Sequence, residues 1–227
     1  MTFVAAVIPV LNEQGAIGPT LARLGRGADL AIVVDGGSTD ETAAEARAHG
    51  AVVLAEARRG YGRACLTGAE HAAGLGADIL LFMDGDGADA VECAPQLLEP
   101  LLAGRADFVL ATRRAGRQAG SMGMHQVLAG IVIGAAIGVV TGTRYTDMCA
   151  FRAIRTADLL RLDMCEMTYG WNLELQVKAV RAGLRVLEVP LPYYRRAAGT
   201  SKVAGSVRGT LRAGLRILAT FVKVAQG

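Results

Sequence analysis

The run Ile79-Leu80-Leu81-Phe82-Met83-Asp84-Gly85-Asp86-Gly87 leads five apolar residues straight into two carboxylates one residue apart. A strand buried on both faces that ends in such a turn delivers its carboxylates to one edge of a sheet. There their oxygens can hold a hard divalent cation against a phosphate-bearing ligand. A solvated loop or a helix cap would use the same residues, so other carboxylates must decide. Asn12-Glu13 follows the apolar run Ala5 to Val10, and Asp35-Gly36-Gly37-Ser38 follows Ala31 to Val34. Three acidic turns, each placed after an apolar run, form the pattern of a ligand site along one edge.

The elements that must position these turns alternate. Strand-length runs at Ala5 to Val10, Ala31 to Val34, Ala51 to Leu54, Ile79 to Met83 and Phe108 to Ala111 are separated by helical spacing at Ala16 to Leu24, Thr42 to His49, Arg63 to Ala73 and Ala94 to Leu102. This alternation predicts an α/β fold, a mostly parallel sheet with helices on both faces. Ligands of such sheets bind beyond the carboxyl ends of the strands, where all three acidic turns fall.

At 227 residues and 52% hydrophobic, the chain can build one sizeable core and is not a disordered protein. A formal net charge of +3 and 5% aromatics give no basis for nucleic-acid binding. Cys65, Cys93, Cys149 and Cys165 include no Cys-x-x-Cys pair, which argues against zinc or a disulfide framework and for a reducing cytosol. The N-terminus has no basic start followed by a long apolar stretch, so no signal peptide is expected.

The second half reads differently. Val127 to Val140 is wholly apolar or glycine, with Gly130, Gly134, Gly138 and Gly142 at every fourth position. As a helix it reaches roughly 21 Å, short of a ~30 Å hydrocarbon core, so it either packs on the sheet or lies in a membrane interface. The glycines would let another backbone approach one helix face. From Val207 to Val224, Arg208, Arg212, Arg216 and Lys223 fall within about 80° of one another and apolar residues fill the opposite half. This amphipathic basic helix suits either the domain surface or an anionic membrane. The expected division is an α/β domain over 1–205 and the amphipathic helix over 206–227, which either belongs to the same domain or associates with a membrane.

Six segments in order, VIPVLNE (Val7 to Glu13), VVDGGSTDET (Val33 to Thr42), RGYGRACLTG (Arg59 to Gly68), MDGDG (Met83 to Gly87), DMCAFRAI (Asp147 to Ile154) and EVPLPYYRRAAGTSK (Glu188 to Lys202), resemble the GT-A glycosyltransferases of family 2. Within that family the resemblance is to the dolichyl-phosphate mannosyltransferase-like, polyprenyl-phosphate subgroup. It implies a GT-A fold and inverting transfer of a sugar from a UDP- or GDP-sugar to a polyprenyl phosphate. It also implies peripheral attachment at the cytoplasmic face of the membrane and possible oligomers. The same transfer to a hydroxyl acceptor is the alternative reading. A non-catalytic nucleotide-sugar-binding protein and a phosphatase built on the Asp-x-Asp turn are more remote.

The resemblance also implies roles. Pro9, Glu13, Asp35, Arg63 and Asp84 would bind the donor, and Asp84 and Asp86, with Asp89 as a further ligand, would hold Mg²⁺ or Mn²⁺. Arg113, Arg114, Asp147, Arg152, Arg196 and Lys202 would face the acceptor. Asp86, Arg152 and Glu174 would be catalytic, with Glu174 or Asp147 as general base if the acceptor is a hydroxyl. The guanidinium fork of Arg152 suits two phosphate oxygens. Cys149 and Ala150 stand where the family usually has Ser and Gly, which removes a hydroxyl donor beside Arg152.

Overall fold

A computed structural model describes residues 2–121, 124–143, 145–197, 219–221 and 223. The chain runs β1 (Val4–Val10), α1 (Ile17–Leu24), β2 (Leu30–Asp35), α2 (Thr42–Ala48), β3 (Val52–Ala55), α3 (Tyr61–Gly74) and β4 (Ile79–Phe82). After a 3-10 turn at Val91–Cys93 come α4 (Ala94–Leu102), β5 (Phe108–Arg117), α5 (Met124–Thr141), β6 (Arg152–Arg155), α6 (Thr156–Arg161), α7 (Trp171–Arg181) and β7 (Val186–Tyr193). The strands form one seven-stranded sheet in the order β3-β2-β1-β4-β6-β5-β7.

The apolar runs become strands because both faces of the sheet are covered. All four residues of β4 are buried, and in β1 only Pro9 is partly exposed. One face packs Ile8, Ile17, Leu81, Leu97, Val109 and Phe151 together with α1 and α4. The other packs Val7, Phe82, Phe108, Ile154 and Trp171 against α3 and α7, with the Phe82 and Trp171 rings 6.4 Å apart. Gly68 on α3 lies so close to Val7 and Val34 that a side chain there would collide, which lets α3 sit down on the sheet.

The α/β expectation therefore holds, with a departure in the second half. The strand β6 enters between β4 and β5 and runs antiparallel to both. Its register places Arg152 opposite Phe82 and Leu110, so the start of β6, not its end, reaches the carboxyl edge of its neighbours. Apolar periodicity cannot report strand direction, and β6 has only four residues.

The apolar segment 127–140 lies within α5, whose glycine repeat is used inside the chain. A Cβ on Gly134 would run into the Tyr145 carbonyl, and Ile137 is fully buried. The opposite side leaves Val132 59% and Val139 89% exposed. Among the described residues no helix is long and apolar enough to cross a membrane.

The expected basic helix over 207–224 lies outside the described residues except for 219–221 and 223. There Thr220 is buried, its hydroxyl 3.2 Å from Glu166 Oε2, and Phe221 packs against the core face that holds Trp171. This short stretch is packed on its own domain.

The α5 contact predicts opposite outcomes for two neighbouring glycines. Gly134→Ala should cost about 1–3 kcal/mol, because the new methyl meets fixed backbone. Gly130→Ala places its methyl 3.7 Å from Asp147 Oδ1, an ordinary contact, and should be neutral or stabilising by up to ~1 kcal/mol through helix propensity. Urea unfolding followed by circular dichroism separates the two.

Candidate functional site

The first two acidic turns are interlocked. Asn12 takes a left-handed backbone, φ +50°, which turns the chain out of β1. Its amide donates to the Ser38 hydroxyl at 2.8 Å and its side-chain oxygen accepts from Thr39 N at 2.8 Å. Glu13 N donates to Thr42 Oγ1 at 2.8 Å. Asp35 is held by its own turn, with Oδ1 accepting from Ser38 N at 2.8 Å and Ser38 Oγ at 2.6 Å. Pro9 and Val10 of β1 stand beside Val34 and Asp35 in register, so Glu13 and Asp35 emerge from adjacent strands at one edge.

The Asp84–Asp89 turn meets them there. Asp86 Oδ1 accepts from Ala88 N at 2.9 Å, and Asp89 Oδ2 accepts from Asp84 N at 3.1 Å. Opposite them, Arg196 spans the gap between the first and third turns. Its Nη1 is 2.5 Å from Asp86 Oδ2 and its Nη2 is 2.8 Å and 3.0 Å from the two Glu13 oxygens. Burial alone would weaken the Arg196 proton, but the Asp86 and Glu13 carboxylates outweigh it and hold the guanidinium charged.

Asp84 has no hydrogen-bond partner for its carboxylate among the described residues. Burial, then the neighbouring Asp86 and Asp89 charges, push its pKa well above the usual carboxylate range. Asp89, 3% exposed, is pushed up to about 6 by burial and by Asp86. Carboxyls crowded and buried in this way resist ionising together, and a hard divalent cation among them would restore their charged form. Among the described residues no group of three or more His, Cys, Asp or Glu forms a closed metal cage. The donor set suits a cation held by one or two carboxylates and completed by ligand phosphates.

On the other side of β4, Arg113 and Asp147 form a bidentate pair. Arg113 Nε lies 2.7 Å from Asp147 Oδ2 and Nη2 lies 2.5 Å from Oδ1, with the guanidinium 5.0 Å above the Tyr193 ring. Burial pushes Asp147 up, but the Arg113 bonds outweigh it and keep the carboxyl below its ordinary value. Arg152 is fully buried and pairs with no carboxylate among the described residues. It donates to the carbonyls of Cys149, Ala150 and Asn172, the last two at 3.2 Å and 3.4 Å, and burial lowers its pKa.

These contacts sort the expected site residues. Glu13, Asp84, Asp86, Asp89 and Arg196 come together, and Asp35 stands beside them. Arg63 sits in the first turn of α3, its amide 3.0 Å from the Met167 carbonyl. The fork of Arg152, expected to clamp an acceptor phosphate, instead holds the backbone beneath the site. Glu174, expected as a base, is 3% exposed and accepts from Cys165 N, from Glu166 N at 2.7 Å and from Lys178 Nζ at 3.0 Å. Asp147 is likewise tied to Arg113, so both expected bases are engaged by protein groups. The side chain of Arg114 and the whole of Lys202 lie outside the described residues.

Residues 5–157 match the model of the family described as glycosyl transferase family 2. The chain belongs to that family. An uncharacterised glycosyltransferase of Mycobacterium tuberculosis is 37% identical over 92% of this chain and 93% of its own. An undecaprenyl-phosphate mannosyltransferase of Micrococcus luteus is 32% identical over 91% of this chain and 89% of its own. Among solved structures, glucosyl-3-phosphoglycerate synthase of Mycobacterium tuberculosis in complex with phosphoglyceric acid has a TM-score of 0.79 at 24% identity. It covers 99% of this family 2 glycosyltransferase and 80% of the synthase.

Other complexes of that synthase contain Mn²⁺ with UDP or UDP-glucose, and phosphoglyceric acid or glycerol 3-phosphate. They correct the narrower expectation. These structures, which match this glycosyltransferase from end to end, are of an enzyme solved with small soluble phosphates. They are not of a dolichyl-phosphate mannosyltransferase. The polyprenyl-phosphate acceptor, the lipid partner and the membrane surface expected from the sequence are withdrawn with the subgroup.

Glu56 escaped the sequence reading. It follows β3, its amide donates to the Asp35 carbonyl at 2.8 Å, and the rule that picked out Asp35 after β2 could have found it. Arg58, at 2.7 Å and 2.8 Å, and then Thr67 hold its carboxyl down at about 2. A carboxyl depressed in the folded state stabilises above its unfolded pKa, and that stabilisation is lost as pH falls through the folded value. The stability difference between the native chain and Glu56→Gln should therefore be full above about pH 5 and vanish toward about pH 2. Denaturant titrations across this range measure it.

Proposed function

We propose that this glycosyltransferase moves a sugar from a nucleoside diphosphate sugar to a hydroxyl of a small acceptor that carries an anionic group. The observation that carries the donor half is the Asp84–Asp89 turn, where the Asp84 carboxylate has no hydrogen-bond partner among the described residues and Arg196 links Asp86 to Glu13. Asp84 and Asp86 would hold Mg²⁺ or Mn²⁺, which supplies charge neutralisation for the departing nucleoside diphosphate. Asp35 and Glu13 offer acceptors to ribose hydroxyls and base N–H groups. The Mn²⁺ and UDP-sugar complexes of the synthase that shares the fold support this reading.

For the acceptor, support comes from Arg113 above Tyr193 and from the small phosphates bound by the same synthase. The Arg113 side chain is 18% exposed, and Asp147 fixes the plane of its guanidinium. The phosphatase reading falls with the family assignment. The four free cysteines agree with a reducing compartment.

Two measurements test the proposal. Purified protein is incubated with UDP- and GDP-sugars and Mn²⁺, with 3-phosphoglycerate, glycerol 3-phosphate or undecaprenyl phosphate as acceptor, and products are read by mass spectrometry. A glycosylated small hydroxyl compound is expected, and transfer to the lipid phosphate alone would overturn the acceptor assignment. Asp86→Asn should lower kcat on the order of 10²–10³-fold with the fold intact, by comparison with the loss of other transition-state charge stabilisers.

A second expectation concerns charge at the turn. Arg196 and a cation compete for Asp86, so Arg196→Gln should bind Mn²⁺ several-fold more tightly than the native chain, whereas Asp86→Asn should bind it more weakly. Electron paramagnetic resonance of free Mn²⁺ gives both affinities.

A further inference from the structure

Arg23 lies on α1, a helix to which the donor site assigns no chemistry. Each of its guanidinium nitrogens is nevertheless used. Nη1 donates to the Gly87 carbonyl at 3.0 Å and Nη2 to the Asp89 carbonyl at 2.7 Å. Nε and Nη2 donate to Glu92 Oε2 at 3.1 Å and 2.8 Å, and the plane lies 5.0 Å from the Tyr194 ring centre. Tyr194 closes the circuit, its hydroxyl 2.7 Å from Glu92 Oε1.

The carbonyls so held are not isolated. The Asp86 carbonyl accepts from Ala197 N at 3.0 Å and the Ala88 carbonyl from Tyr194 N at 2.8 Å. Four consecutive carbonyls, from Asp86 to Asp89, are therefore anchored from outside the turn, two by the chain after β7 and two by one side chain. Gly87 needs its φ of +78° for this, and a Cβ there would press within 2.9 Å of the Ala197 methyl. A planar fork can satisfy two carbonyls and a carboxylate at once, whereas an ammonium offers a point charge.

We infer that Arg23 is a positioning residue for the cation-holding turn. It fixes the peptide planes of Gly87 and Asp89, and so the directions in which the Asp84, Asp86 and Asp89 carboxylates point. Loss of the fork leaves the carboxylates present but free to drift, and a cation with strict ligand geometry is sensitive to shifts of that kind. The inference rests on the reading of this turn as the cation site.

The test compares the native chain with Arg23→Gln and Arg23→Lys. Mn²⁺ affinity is read by electron paramagnetic resonance in the presence of UDP, and amide hydrogen exchange is followed over residues 84–89 against the rest of the sheet. Both variants should bind Mn²⁺ about tenfold more weakly, with faster exchange confined to 84–89 and native-like protection in β1 and β4. If Arg23→Gln fails to fold, Arg23→Lys, which keeps the charge, carries the comparison.

Native Mn²⁺ affinity in Arg23→Gln, or full rescue by Arg23→Lys, would overturn the fork's role while leaving the cation site standing. Weakened binding accompanied by loosening of the whole sheet would also overturn it, since Arg23 would then act only on global stability. A native chain that binds no Mn²⁺ would instead overturn the reading of the turn, and the inference with it.

Discussion

The architecture at the carboxyl edge is governed by repulsion between like charges. Glu13, Asp84, Asp86 and Asp89 come from two turns that the sheet forces together, and the strands behind them are too fully buried to yield. Carboxylates at this spacing in a poorly solvated pocket require positive charge. The protein supplies part of it through Arg196, which bridges Glu13 to Asp86, and among the described residues no side chain forms an ion pair with Asp84. That remaining need for charge is the ground on which the edge is proposed as the donor site. A fully paired network would leave no such need, and on the far side of β4 Arg113 already matches the charge of Asp147.

The donor half was legible in the sequence because its logic is local. Each acidic turn directly follows an apolar run, and parallel strands place such turns together without further information. The chain from β1 to β4 follows this rule. Glu56 is the one residue there that the rule reached but the reading passed over. The acceptor half was less legible because it depends on contacts between distant segments. Nothing in Cys149-Ala150-Phe151-Arg152 reveals that the guanidinium will be sealed under three carbonyls. Nothing in Gly170-Trp171-Asn172-Leu173-Glu174 reveals that the carboxylate will turn back to cap two amides and a lysine.

Family resemblance was sound where it rested on such local motifs and overreached at the acceptor. The six motifs pointed to the GT-A fold, to a nucleotide-sugar donor and to a divalent cation. The acceptor expectation rested on side chains of β5, of β6 and of the segments after α5 and β7, where this chain departs from the pattern at Cys149 and Ala150. The glycine repeat of α5 shows the same difficulty. Its spacing announces close backbone approach, and the approach is real, but the partner is the carbonyl of Tyr145 in the same chain.

The antiparallel insertion of β6 also has a consequence for the order in which the molecule is assembled. Strands β1, β2 and β3 pair through crossovers of one helix each and β4 then returns to pair with β1, so the half they form is complete once the chain has reached Phe82. The other half is split: β5 joins β4 only through β6, and β6 is reached only after α5 has been laid down. Closing that long loop carries an entropic cost that short crossovers avoid, and long-range pairings of this type form slowly. During synthesis the donor-facing half can thus be complete while the opposite wall is still open, and that wall is the part of the enzyme with the most time to find alternative pairings.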